Sequence, residues 1–122
     1  MKTFLLFMLL TVLGPVELDK TVHDFGEISI KDGPQTCEFV VTNISEEPVH
    51  ILSVVSSYGC TSVKWTREAI APGESGKISI EYANDEPDAV FNKSITAYIS
   101  DKEKPFVVQL HLRGKTTNKK KK

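Results

Sequence analysis

The segment Phe106-Val107-Val108-Gln109-Leu110-His111-Leu112-Arg113 sets Phe106, Val108, Leu110 and Leu112 at every second position, with Val107, Gln109, His111 and Arg113 between them. Successive side chains of a strand point to opposite faces, so this spacing reads as a β-strand with one oily face. A helix would repeat its apolar residues at i, i+3, i+4 and i+7, and no window from Thr21 onward carries such a run. The period of two recurs upstream. Ile95, Ala97 and Ile99 alternate with Ser94, Thr96 and Tyr98, and Ile78, Ile80 and Tyr82 with Lys77, Ser79 and Glu81. Cys37, Phe39 and Val41 share a face against Thr36, Glu38 and Thr42. Residues 21–25 and 27–30 flank Gly26, and residues 49–55 are apolar on both faces, as in a central or a bulged strand. Turn-forming clusters separate the runs: Asp32-Gly33-Pro34, residues 43–48, Ala71-Pro72-Gly73, residues 84–87 and residues 102–105.

One-faced strands close their apolar sides by stacking two sheets. The expected fold is therefore all-β, an antiparallel β-sandwich of about seven strands. A length of 122 residues allows one such domain, and 40% hydrophobic with 25% charged residues excludes wholesale disorder. Two Cys are too few for a four-Cys zinc module or a disulfide-dense miniprotein.

Charge is unevenly spread. Between Pro15 and Gly114 nine Lys and Arg oppose sixteen Asp and Glu, a balance of -7, whereas residues 115–122 hold five Lys and no acid. An acidic body lacks the basic face of a nucleic-acid groove, and the Lys-rich end reads as a solvated, disordered tail. At the other end, Lys2 precedes an uncharged, mostly apolar run over residues 3–13. That pattern is a signal peptide's, and the run is too short to span a bilayer. Residues 1–14 are the expected signal peptide and residues 15–114 the domain, with a periplasmic or secreted destination. The competing reading packs the apolar N-terminus as a strand of an unprocessed or cytoplasmic chain. Membrane association would run through residues 1–14 or the basic tail.

Several motifs occur in order: His23-Asp24-Phe25-Gly26-Glu27-Ile28, Phe39-Val40-Val41-Thr42-Asn43, Gly59-Cys60-Thr61, Pro72-Gly73-Glu74-Ser75-Gly76-Lys77-Ile78 and Leu112-Arg113-Gly114. Together they resemble domain of unknown function fifteen seventy-three, a bacterial family common in exported proteins of Bacteroidetes. The likeness covers residues 22–114. It implies an immunoglobulin-like sandwich akin to pilus-chaperone and major-sperm-protein domains, which bind proteins. The family's usual Cys-Gly-Cys-Thr is Tyr58-Gly59-Cys60-Thr61 here, which removes one thiol of any redox or metal pair.

The remaining candidates for chemistry are sparse. Cys37 is in register with Phe39 and Val41 and reads as a small buried hydrophobe, whereas Cys60 falls in a polar loop. The pair could remain two thiols or form a Cys37–Cys60 disulfide in an oxidising compartment, given Cα atoms within about 7 Å. A lowered thiol pKa would need a cation, for which Lys64 and Arg67 are the local candidates. His23, His50 and His111 lack helical zinc spacing, and Asp85, Glu86 and Asp88 read as a solvated acidic turn rather than a Ca²⁺ site. No nucleophile elbow or phosphate-cradling loop is present, so neither an enzyme nor a cofactor or metal is expected.

The expected function is a non-catalytic binding or scaffolding module of the bacterial cell envelope. Its partner would be an envelope protein or other envelope component, bound at edge strands or at a loop over residues 56–65. Tyr58, Gly59, Cys60, Thr61 and Trp65 are the candidate contacts, and residues 21–30 and 106–113 the candidate edges. Trp65 also reads as a core plug. The alternative is a thiol-dependent redox or metal-handling protein using Cys60.

Overall fold

A computed structural model describes residues 11–57 and 59–117. The alternating runs become strands: β1 (Thr11–Leu13), β2 (Val16–Leu18), β3 (Val22–Ser29), β4 (Gln35–Asn43), β5 (Ile51–Ser56), β6 (Cys60–Trp65), β7 (Ser75–Tyr82), β8 (Val90–Ile99) and β9 (Phe106–Thr117). A 3-10 turn, Ile30–Asp32, follows β3. One sheet has the order β1-β2-β4-β7-β6 and the other β3-β9-β8-β5, the all-β sandwich read from the period of two. Phe39, Ile78, Ile80 and Tyr82 from the first sheet and Ile95, Leu110 and Leu112 from the second are each at most 1% exposed. These residues come from the oily faces of β4, β7, β8 and β9, so burial of one face per strand holds the two layers together.

Three features depart from the sequence reading. The strands number nine among the described residues. The additional ones are the short β1 and β2, joined through Gly14 (φ +61°) and Pro15, and β6. The sandwich is not wholly antiparallel, because β3 pairs with β9 in parallel from Val22 opposite His111 to Ser29 opposite Thr117. Parallel neighbours need a long connection, and here the chain builds β4 to β8 between them. Strand β9, expected at an edge, therefore lies between β3 and β8, whereas β3 is an edge as expected. The run over residues 49–55 becomes another edge, β5, with a bulge between Ile51 and Ser53 that explains its broken period.

The β3–β9 seam gives two of the quoted motifs their physical meaning. Strand β3 bulges between Asp24 and Glu27, where Gly26 sits at φ +71° and donates its N–H to Asp24 Oδ1 at 2.8 Å. Opposite it, a Cβ on Gly114 would lie 2.8 Å from the Gly26 carbonyl oxygen and 3.0 Å from the Phe91 ring. Only a residue without a side chain lets the bulge close.

Beyond Gly114 the strand continues. Lys115, Thr116 and Thr117 pair with Glu27, Ile28 and Ser29, so these three residues belong to the sheet and not to the expected tail. Thr116 is fully buried, and its N–H donates to the Ala89 carbonyl at 2.8 Å. Its hydroxyl accepts from Ala89 N–H at 3.0 Å and donates to the Glu86 carbonyl. Residues 118–122 and most of the expected signal peptide, residues 1–10, lie outside the described residues.

Candidate functional site

The chain over residues 56–65, expected as a loop, holds strand β6. Its period is hidden by a register shift between Cys60 and Ser62. Cys60 lies opposite Tyr82, Val63 opposite Ile80 and Trp65 opposite Ile78, and all three partners are buried. Directly paired residues share a face, so Cys60, Val63 and Trp65 point into the space between the sheets. They stay only partly buried while packing on the core, because β6 and β5 are the outermost strands of their sheets. Trp65 is thus half core plug and half surface, with the Arg67 guanidinium carbon 4.1 Å from its ring centroid.

A short arch joins β5 to β6. Ser57 donates its N–H to the Ser94 carbonyl at 2.9 Å, and its hydroxyl accepts from Ser94 N–H at 3.1 Å. Gly59, at φ +105°, accepts at its carbonyl from Ala83 N–H at 2.9 Å. A Cβ there would lie 2.9 Å from Lys93 Cε. Thr61 donates its hydroxyl to Glu81 Oε2 at 3.1 Å. Gly59, Cys60, Thr61 and Asp85 border a depression of about 440 Å³. Tyr58, the remaining candidate of the group, lies outside the described residues.

Behind the arch stands a charged group that the periodicity obscured. Lys93 takes the inward position between Phe91 and Ile95 on β8, opposite the buried Leu112. Its ammonium meets Glu86 Oε1 at 3.1 Å, and Glu86 also accepts the Tyr82 hydroxyl at 2.8 Å. The Tyr82 ring stacks on Phe91 at 4.3 Å between centroids. Glu86, read as part of a solvated acidic turn, is instead fixed to the interior. The Tyr82 hydrogen bond, then Lys93, hold its carboxyl below its ordinary range. Burial, then the Glu86 contact, push the Tyr82 hydroxyl up.

Neither thiol is tuned toward a thiolate. Burial pushes Cys37 up to about 11. It also raises Cys60, with Lys93 and a hydrogen bond from Ser56 pulling the other way. The cation acting on Cys60 is therefore Lys93, not Lys64 or Arg67. The two Cys are free, on β4 and β6 with β7 between them. Two strand spacings amount to about 10 Å, beyond disulfide reach, which corrects the Cys37–Cys60 bridge. No cluster of three or more His, Cys, Asp or Glu that could hold a metal occurs among the described residues. His23 lies 3.0 Å from Lys20 Nζ and edge-on to Phe25, and His111 contacts Asn92.

Replacing Glu86 by Ala leaves an inward ammonium only 14% exposed without its carboxylate. We expect a loss of about 1–2 kcal/mol at pH 7, moderated because the Glu86 side chain is a third exposed and water replaces part of the attraction. Lys93→Met costs less, because the freed carboxylate reaches solvent. A depressed carboxyl pKa stabilises the fold above its unfolded value, and that stability is lost as pH falls through the folded value. Glu86→Ala therefore also flattens the acid limb of a urea-midpoint profile.

The family model described as "Protein of unknown function (DUF1573)" matches residues 16–115. The chain belongs to this family. The match starts at β2 and runs to the first residue beyond Gly114, and so contains the β5–β6 flank and the β3–β9 seam as far as Glu27 opposite Lys115. A crystal structure of a protein of unknown function from Porphyromonas gingivalis W83 superimposes with a TM-score of 0.64 at 19% identity, over 82% of this chain and 46% of that one. The VesB protease of Vibrio cholerae gives a TM-score of 0.64 at 13% identity, over 84% and 32%. The secreted serine protease VesC of Vibrio cholerae gives 0.54 at 15%, over 76% and 21%. The DUF1573 chain thus spans less than half the length of each, and at these identities the likeness is one of fold. No curated protein matches it.

Proposed function

We propose that this DUF1573 domain is a non-catalytic binding or scaffolding module of an exported protein, and that it meets its partner at the flank formed by β5, β6 and the arch between them. The observation that carries the reading is the exposure of Cys60, Val63 and Trp65. They point inward from an outermost strand and pack on the core, yet they stay only partly buried. Such a flank offers a partner strand both main-chain hydrogen bonds and apolar side chains. The raised Cys60 thiol favours this role over thiol chemistry. Lys2 and the apolar run after it support export to the periplasm or beyond.

Crosslinking of the tagged protein in its own cells tests the reading. Trp65→Ala should reduce capture of the crosslinked partner about tenfold, the effect expected of losing one aromatic anchor, while circular dichroism stays β-like. An unchanged crosslinking profile would remove the flank from the function.

A further inference from the structure

The charge pattern around β5 says which partner the strand itself fits. Residues 51–57 carry no charge, and neither do Thr96, Tyr98, Val107 and Gln109 on the neighbouring outer face. The other edges are guarded: β3 bears His23, Asp24 and Glu27, β6 bears Lys64 and a bulge, and β1 has three residues. Edge strands are usually protected by charge, brevity or a bulge; β5 is uncharged, and from Ser53 to Ser56 it lies clear of its own bulge. A neutral strip also lets two acidic bodies approach without placing like charges in contact.

The hydrogen-bond phase fixes the register. Ser57 bonds Ser94 across the β5–β8 ladder, so Val55 and Ser53 come next in phase toward β8. Val54 and Ser56 then turn their main-chain N–H and C=O groups to the open side. The bulge at Leu52 lies outside this pair of residues. Val55, 55% exposed, points to the outer face beside Thr96.

We propose that β5 pairs antiparallel with β5 of a second copy of this chain, about a two-fold axis through Val55. Val54 of each copy exchanges both main-chain bonds with Ser56 of the other, and the two Val55 side chains meet as a non-hydrogen-bonded pair. The two four-stranded sheets join into one of eight strands. So short a contact buries less than the roughly 1,000 Å² of a stable interface, so the dimer is weak and concentration-dependent. This partner is distinct from the envelope component proposed above.

Full-length protein in a Cys60→Ser background supplies the test. Val55→Cys should form a disulfide-linked dimer under mild oxidation about tenfold faster than Val90→Cys, since paired strands raise the effective thiol concentration. Val90 is the harsher control because it is 83% exposed and would win if collisions alone decided. Sedimentation of the native chain should show a dimer building up toward about 1 mM, and Val55→Glu should abolish it by opposing like charges across the axis. Equal crosslinking at Val55 and Val90, or a monomer throughout that range, overturns the proposal. Neither result bears on Trp65-dependent capture of another protein, so the two readings fail separately.

Discussion

Ending the chain after Gly114 lowers its unfolding free energy by about 3–4 kcal/mol relative to ending it after Thr117. The first truncation removes the pairing of Lys115, Thr116 and Thr117 with Glu27, Ile28 and Ser29, and that of Lys115 with Val90. It also strips Ala89 of both its partners on Thr116. Several main-chain bonds at about 1 kcal/mol each, with Ile28 and Ser29 newly wetted, account for the loss. The second truncation removes residues 118–122 alone. Urea titrations followed by circular dichroism separate the outcomes, and equal midpoints for the two truncations would return residues 115–117 to the tail.

The second large effect belongs to Gly114. A Val there drives its Cβ into the Gly26 carbonyl and the Phe91 ring, and a backbone oxygen cannot swing aside as a flexible side chain can. Overpacking of this kind costs about 3 kcal/mol, at the upper end of its usual range. The thermal midpoint should fall by roughly 12–20 °C for a domain of this size. Val at Gly73 separates crowding from backbone strain: Gly73 sits at φ +82°, which strains any side chain, but nothing lies within 4 Å of the added carbon, whereas Gly114 has no positive φ. The Gly114 variant should lose more than the strained Gly73 variant, and a loss at Gly114 below about 1 kcal/mol would mean that the bulge tolerates a side chain.

What the sequence discloses and what it hides have separate causes. Strands β4, β7, β8 and β9 are legible because one face of each carries three or four apolar residues in unbroken alternation that meet the opposing sheet. Strand β6 is illegible because a bulge after Cys60 slips the period, moving the inward set from Cys60 to Val63 and Trp65. Lys115 to Thr117 escape notice because polar side chains there satisfy a buried seam by hydrogen bonding, which leaves no apolar signature. Lys93 is hidden by alternation itself, an ammonium in an oily register whose partner Glu86 lies in the preceding turn. Of the candidate site, Gly59, Cys60, Thr61 and Trp65 do gather on one flank. The Cys37–Cys60 link fails because strand order cannot be read from spacing, and β7 comes between them.

The parallel run of β3 beside β9 governs how the domain responds to tension. Pulled from its two ends, the molecule first unzips β1 and then peels β2, both three residues long and antiparallel to their neighbours. The load then reaches β3 and β9, which are dragged lengthwise past each other, so the bonds from Val22 to Ser29 bear it together instead of one by one. A domain closed by such a clamp yields at higher force than one that opens like a zipper.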